Sequence, residues 1–183
     1  MASIKFNNVE VFDSNGKVTA SGMPSGSVLQ VVSSVKKDTD SGTSSTYETI
    51  TGTDQNGSGS EFSVVITPKQ SGSYFLVNTV IHSGLNGANV TGIGVQRDGT
   101  ILDSTSGSTM EAMGMTYWNG VTDGVRPHII NYLDKNASAS AGTSITYRPV
   151  IKRNSSATYY VNRIASDANY TTISTITVME IAT

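Results

Sequence analysis

The sequence predicts an all-β protein: a single jelly-roll-like β-sandwich preceded by a short N-terminal hairpin or extended arm. Charged residues make up 14% of the 183 residues, well below the roughly 25% of an average protein. Ser and Thr contribute 49 residues and Gly a further 18, a composition typical of chains with many turns. The apolar residues fall in short alternating runs rich in Val, Ile, Thr and Tyr, which suit pleated sheets.

Residues 1–24 are predicted to form an anchoring arm and linker, ahead of a sandwich domain at residues 25–183. Apolar residues alternate with polar ones near the start of the chain, as in a strand. The turn signal Asn15-Gly16 then separates this strand from a return strand at 18–20. A lone hairpin of this size is marginally stable in water, so we expect it to pack on another protein surface. The proposed anchoring residues are Ile4, Phe6, Val9, Val11 and Phe12.

Eight to ten short strands are predicted after the linker, separated by turns, as in sandwiches and jelly rolls. The segment Met110–Trp118 is left open between strand and loop, and Asp98-Gly99 predicts a hairpin turn. The other predicted strands are Val28–Lys36, Tyr47–Thr51, Glu61–Lys69, Ser73–Ser83, Thr91–Leu102, Arg126–Asp134, Ser144–Arg153, Thr158–Arg163 and Ser174–Ala182.

The predicted strand Ser174–Ala182 is apolar on both faces, which is unusual for a strand with one face in water. Ile176 and Val178 point to one side, and Met179 and Ile181 to the other. Two interpretations remain: a central strand covered inside one sandwich, or a subunit interface formed by these four residues, which we favour. Glu180 is the polar exception and needs a partner. The cations expected to supply it are Arg148, Lys152, Arg153 and Arg163.

The charge and composition argue against several classes of partner. The net charge is −2, so no basic face is expected to neutralise nucleic-acid phosphates. No run of 18 apolar residues predicts a membrane span, and the N-terminus lacks the apolar core of a signal peptide. There are no cysteines. We therefore expect the chain to be made and kept in a cytoplasm, with no cofactor, nucleic-acid or membrane partner.

No motif predicts catalysis. His82 and His128 belong to no metal-ligand spacing, and no GxSxG turn presents a nucleophile. Gly92–Arg97 begins like a dinucleotide fingerprint but lacks the third glycine and a following helix. Asp38–Asp40 and Asp54–Glu61 are interpreted as solvated loops and not as calcium sites. We therefore expect that the protein is not an enzyme.

A second class of function stays open, the binding of carbohydrate. Tyr117 and Trp118 are the candidate stacking residues, and as neighbours in a strand they would point to opposite faces. Loops at Lys37–Glu61, Leu102–Gly124 and Ala137–Gly142 would carry that function.

Six segments, taken in order, resemble a domain found in virion proteins of tailed bacteriophages. It is a β-sandwich domain of the fibre and decoration type, as in phages of aquatic bacteria and cyanobacteria. The matching segments are Pro24–Ser34, Ile66–Val77, Val95–Thr100, Tyr132–Asp134, Ser144–Lys152 and Ser174–Ala182. The resemblance implies a virion structural protein with a β-sandwich head that forms a homotrimer.

Only about 24 residues precede this domain, without a fibre shaft, so a small protein on the virion surface is expected in preference to a long fibre. The leading expectation is a capsid decoration protein, a cement knob or short head spike, anchored to the major capsid protein or another virion protein. The alternative is a tail-fibre or receptor-binding tip that binds host glycans.

Overall fold

The computed structural model describes residues 3–52, 61–102, 112–120, 124–135, 137–154 and 156–183. Within these residues, the regular secondary structure consists of β-strands and one 3₁₀ turn at Ala20–Gly22. The strands are β1 Ile4–Phe6, β2 Val9–Phe12, β3 Val28–Lys36, β4 Asp40–Gly42, β5 Glu48–Thr49, β6 Val64–Ile66, β7 Tyr74–Asn86, β8 Asn89–Arg97, β9 Thr100–Ile101, β10 Gly114–Trp118, β11 Arg126–Asp134, β12 Ile145–Arg153, β13 Thr158–Val161 and β14 Ser174–Ile181.

One sheet, here called sheet I, is organised around the long strand β7. One edge of β7 pairs with β11, and the other edge pairs first with β14 and then with β13. Ser83 shows the arrangement, because it pairs with Arg126 on one side and Val161 on the other. Beyond them, β3 pairs with β14 and β4 with β13. Sheet I therefore has four strand positions.

The second sheet, sheet II, is organised in the same way around β8 and β12, which pair with each other. The free edge of β12 pairs with the short strands β5 and β6. The free edge of β8 pairs with β9 and β10. Every pairing in both sheets is antiparallel.

The strand order is that of a jelly roll. Along the chain, the eight strand positions are β3 with β4, β5 with β6, β7, β8, β9 with β10, β11, β12, and β13 with β14. In spatial order, sheet I contains the first, eighth, third and sixth of these positions, and sheet II contains the second, seventh, fourth and fifth. Apart from the step between the fourth and fifth positions, consecutive strands thus cross between the two sheets, as two Greek keys require. The all-β sandwich predicted from composition is confirmed, and the strand order identifies it as a jelly roll.

The core lies between the sheets and follows from the alternation of each strand. In β7, the side chains of Phe75, Val77 and Ile81 are fully buried, while their neighbours are only half-buried. In β14, Ile176 and Val178 repeat the pattern. These side chains pack against Ile93, Trp118, Tyr147 and Ile151 of sheet II.

The buried residue Asn162 joins β13 to the strands around it. Its backbone has φ of 60°, a left-handed conformation that Asn tolerates better than most residues. Its side-chain amide donates 3.0 Å hydrogen bonds to the carbonyls of Lys36 and Asp38, and Ser174 Oγ donates to its Oδ1 at 2.5 Å. This explains how β13 and β14 follow one another along the same edge of β7.

Several predicted boundaries are confirmed and others are corrected. Val28–Lys36 and Arg126–Asp134 are strands with the predicted bounds, and Asp98-Gly99 forms the predicted hairpin turn with positive φ at both residues. In the segment 110–118, left open between strand and loop, the described residues Gly114–Trp118 form β10. The predicted strand Glu61–Lys69 shortens to β6, and β4 was not predicted.

Candidate functional surfaces

The N-terminal arm is a hairpin with an apolar exposed surface. Its two strands turn at Asn7-Asn8, both with positive φ, a conformation that Asn adopts readily in two-residue turns. Sequence reasoning placed the turn at Asn15-Gly16. A turn does form there, but Val18 returns only as a single bridge to Phe12.

The candidate anchoring residues divide by exposure. Ile4, Phe6 and Val9 are exposed, with Phe6 at 74% of its surface, whereas Val11 and Phe12 are half-buried. The hairpin is held at its base, where the Thr19 amide donates to the Val11 carbonyl at 2.9 Å. Residues 3–23 contribute no side chain to the core.

The candidate interface residues on β14 lie on two faces. Ile176 and Val178 are fully buried in the core of the chain itself. This position corrects the expectation that they contact a neighbouring subunit, because a strand between β3 and β7 turns one face inward. Met179 and Ile181 point outward and are half-buried.

Glu180 faces inward and is held by neutral donors, not by a cation. Its carboxylate accepts hydrogen bonds from the backbone amides of Lys69 at 2.9 Å and Gln70 at 3.0 Å. Ser73 Oγ donates at 2.7 Å and Gln30 Nε2 at 2.6 Å. Burial alone would raise the pKa of Glu180, but these donors together hold it below its ordinary value.

None of the four cations expected to pair with Glu180 is among its partners, and three of them contact other groups. Arg148 Nε lies 2.6 Å from Glu61, and Lys152 Nζ lies 4.4 Å from the centre of the Tyr47 ring. Arg163 stacks over the Tyr160 ring at 4.2 Å. The prediction of a cationic partner is therefore wrong.

The outward face of sheet I, here called the outer face, carries side chains in rows that run across four strands. The cross-strand pairing places two mostly apolar rows on either side of one polar row. From β11 to β3, the rows are Ile129–Val80–Thr175–Val35, then Asn131–Asn78–Thr177–Ser33, then Leu133–Leu76–Met179–Val31. None of these twelve side chains is charged. Antiparallel sheets facing water usually carry polar side chains there.

The two candidate stacking aromatics have opposite positions. Trp118 is fully buried, its Nε1 donates to Thr91 Oγ1 at 3.1 Å, and Arg126 lies 4.8 Å from its ring centre. This burial rules out Trp118 as a glycan platform. Tyr117 points the other way and is 61% exposed. Alternation in a strand separates the pair, as expected.

Among the described residues, the nearest approach to a catalytic pair is buried between the sheets. Ser83 Oγ lies 2.8 Å from His128 Nε2, and Thr91 Oγ1 lies 3.5 Å from the same nitrogen. Burial, with a smaller contribution from His82, lowers the pKa of His128 to about 4. Because His128 is 4% exposed and Ser83 fully buried, the pair has no access to a substrate and links β7, β8 and β11.

A charged cluster also joins the sheets. Arg97 Nη1 on β8 donates to both oxygens of Asp134 on β11, at 2.7 and 2.5 Å, and Tyr147 Oη on β12 donates to Asp134 at 2.8 Å. Asp134 is fully buried. Burial and the contact with Asp134 raise the pKa of Tyr147.

Parts of the candidate glycan loops lie outside the described residues, namely 53–60, 103–111 and 121–123, as does most of Asp54–Glu61. In the remainder of the chain, no three His, Asp or Glu side chains gather in a way that could hold a metal ion. Across the same described residues, no helix has the length and apolar character to cross a bilayer.

Comparisons with known proteins give a distant structural likeness. No protein-family model matches the chain, and no curated protein is significantly similar to it. The chain is similar to a chain in the structure of infectious bursal disease virus, Gx strain, with 15% identity and a TM-score of 0.38. The likeness covers 100% of this chain but 47% of the viral one, so this chain spans about half its length. The strand order described above, and not this likeness, defines the jelly roll.

Sequence reasoning missed the outer face and the donors around Glu180. The rows become visible only when β3, β7, β11 and β14 are aligned, and these strands are far apart in sequence. A signal was present in β11, where Ile129 and Leu133 interrupt the expected polar face.

Proposed function

We propose that this chain is a non-enzymatic structural protein of a virion, and specifically a capsid decoration protein of a tailed phage. It would be assembled in the host cytoplasm and would lie on the virion surface, held to the major capsid protein or another virion protein by its N-terminal arm. The homotrimer expected from the sequence belongs to this proposal.

The observation that carries the proposal is the exposed apolar hairpin. Ile4, Phe6 and Val9 lie on a two-stranded unit whose apolar side chains cover none of the chain's own core. Burial of a side chain of this size is worth about 1.5–3 kcal/mol, so a receiving surface would gain several kcal/mol. Among the described strands, β1 pairs only with β2, and its other edge is therefore free to add to a sheet of the partner.

The buried polar groups support a structural role. Ser83 and His128 are enclosed between the sheets, and Glu180 and Asp134 use their hydrogen-bonding capacity on neighbouring strands. Such groups stabilise a scaffold and present no reactive atom to a ligand. Binding by several linked arms would strengthen attachment by effective concentration.

The test is binding of the full chain to shells of the virus that encodes it, prepared without this protein. We expect the double variant Ile4→Ser, Phe6→Ser to bind at least about tenfold more weakly, the equivalent of about 1.4 kcal/mol. Its thermal unfolding midpoint should stay within about 2 °C of the wild type, since no core contact is lost.

The matched control is Val65→Ser, which replaces a 56% exposed apolar side chain on sheet II. It should bind shells like the wild type. Equal binding by the arm variant and the wild type would contradict arm anchoring. Binding to host cells that is abolished by Tyr117→Ala would instead favour the receptor-binding alternative.

A further inference from the structure

We propose that a second copy of this chain packs face to face on the outer face of sheet I, about a two-fold axis that runs along the polar row. This contact is separate from arm anchoring, because it uses β3, β7, β11 and β14 and not the hairpin. It rests on the proposed function and extends it by naming the surface through which subunits meet.

The exposure of the outer face is the first step. Val31 is 53% exposed, Ile129 64% and Leu133 39%. Toward the end of the sheet, Tyr74 pairs with Ile181, which extends the apolar surface beyond the lower row. The twelve side chains of the three rows are uncharged, and Lys135 lies at the border of this surface, 5.8 Å from the centre of the Tyr74 ring. A contiguous surface of this kind on one chain marks an interaction site.

The order of the rows identifies the occupant. A two-fold axis along the polar row brings the upper apolar row of one copy over the lower apolar row of the other. Ile129 then faces the second copy's Leu133, and Val80 faces its Leu76. The polar row meets itself, so that Asn78 faces Asn78 and Thr177 faces Thr177.

That pairing satisfies the polar row as well as the apolar ones. An amide and a hydroxyl each donate and accept hydrogen bonds, so identical residues can pair across the axis. A two-fold contact requires a surface that complements itself, and the three rows have this property. An unrelated partner would need no such symmetry of the rows.

The area is sufficient for a specific contact. Four strand positions at about 4.8 Å, and the eight steps from Tyr74 to His82 at about 3.4 Å, give a face of about 19 by 27 Å. Two such faces together bury about 1,000 Å², which is the lower bound for a biological interface. Face-to-face sheets pack with their strands about 30° apart, so the match between the rows is closest at the centre of the face, at Asn78 and Thr177.

The test measures the mass of the full chain by sedimentation equilibrium. One subunit is 19.2 kDa, and we expect the wild type to have the mass of six subunits, because the two-fold contact would join two of the proposed trimers. A mass of two subunits would support the two-fold contact but contradict the homotrimer. Ile129→Lys and Leu133→Glu, tested singly, should each weaken the two-fold contact at least tenfold. Both side chains are already exposed, so both variants should remain folded.

Mixing the two single variants is the more stringent part of the test. The ammonium group introduced by Ile129→Lys in one copy would face the carboxylate introduced by Leu133→Glu in the other. The mixture should therefore regain the two-fold contact, and with it the wild-type mass, that each variant lacks alone. Met115→Lys is the control, because it charges a 57% exposed apolar position on sheet II and should leave the mass unchanged.

A monomeric wild type, a trimer unaffected by either charge, or a mixture that fails to recover the wild-type mass would each overturn the two-fold contact. A trimer that still binds shells through Phe6 would overturn the two-fold contact while leaving the proposed function intact. Loss of shell binding in Ile129→Lys together with a monomeric wild type would show that the outer face binds the shell instead.

Discussion

At the scale of single residues, His128 is a basic group kept neutral by its surroundings. It lies between the sheets with Ser83 and Thr91 around its Nε2. A protonated imidazole there would need a buried counter-charge, and the hydroxyls offer none. The native state therefore binds this proton less readily than the unfolded chain does.

We expect this residue to make the fold less stable in mild acid. Its native pKa of about 4 lies below the unfolded value of 6.5, so its effect is absent above pH 6.5 and grows as the pH falls toward 4. Between pH 7 and 5 the wild type should lose about 2 kcal/mol of unfolding free energy through this group.

Denaturant unfolding of His128→Gln at both pH values checks this. The loss in the variant should be smaller than in the wild type by about 2 kcal/mol. An unchanged pH dependence in His128→Gln would show that the buried imidazole is protonated without penalty.

At the scale of elements, Glu180 fixes β14 to its surroundings. The strand lies between β3 and β7, and the carboxylate at its end gathers the segment 69–73 and Gln30 of β3. Charge-assisted hydrogen bonds of this kind are worth about twice a neutral one. The side chain therefore ties three parts of the chain that are distant in sequence.

Glu180→Gln should lower the unfolding free energy by about 2–4 kcal/mol, since an amide group would oppose two backbone donors with its own N–H groups. The native pKa of Glu180 is depressed, so its stabilisation is present above the unfolded pKa of 4.5 and is lost as the pH falls through the lower native value. Urea unfolding at pH 7 measures the first effect.

Glu61→Gln is the comparison for that experiment. Glu61 pairs with Arg148 at 2.6 Å, but its side chain is 39% exposed, and exposed pairs contribute at most about 1 kcal/mol. If both variants lost the same stability, the amide donors around Glu180 would contribute no more than a surface ion pair.

At the scale of the whole molecule, the two sheets are joined by charge as well as by apolar packing. Asp134 belongs to sheet I, and its partners Arg97 and Tyr147 belong to sheet II. Removing one member of such a buried pair leaves the other without compensation. The cluster therefore resists separation of the sheets.

Asp134→Ala should destabilise the protein by about 3–5 kcal/mol, whereas Tyr147→Phe, which leaves the ion pair in place, should cost about 1 kcal/mol. Urea unfolding measures both losses of unfolding free energy. An m value equal to that of the wild type would indicate that unfolding remains two-state. A larger loss in Tyr147→Phe than in Asp134→Ala would refute the role of the ion pair.

The fold class could be predicted from the sequence because each strand carries its own alternation. Val28–Lys36 and Arg126–Asp134 were located to the residue for this reason. The turn at Asn7-Asn8 was missed, since neither residue is glycine, although Asn tolerates the positive φ it adopts.

The candidate surfaces were predicted less well, because they depend on pairing. The alternation of Ser174–Ile181 placed Ile176 and Met179 on opposite faces, but it could not show that the Ile176 face meets the chain's own core. Two of the four donors to Glu180 are backbone amides, which leave no mark in a sequence. Cross-strand rows need the register of four strands at once.

The position of β14 between β3 and β7 has a consequence for synthesis. Strand β3 has neither its partner nor that partner's Glu180 until residue 181 has left the ribosome, some 145 residues after β3 itself. At 5–20 residues per second, translation of that stretch takes about 7 to 30 s. During that interval β3 is an unpaired edge, and the Val and Ser residues of its nine-residue length must avoid other nascent chains. Sheet I can therefore be completed between β3 and β7 only after all of its other strands have been made.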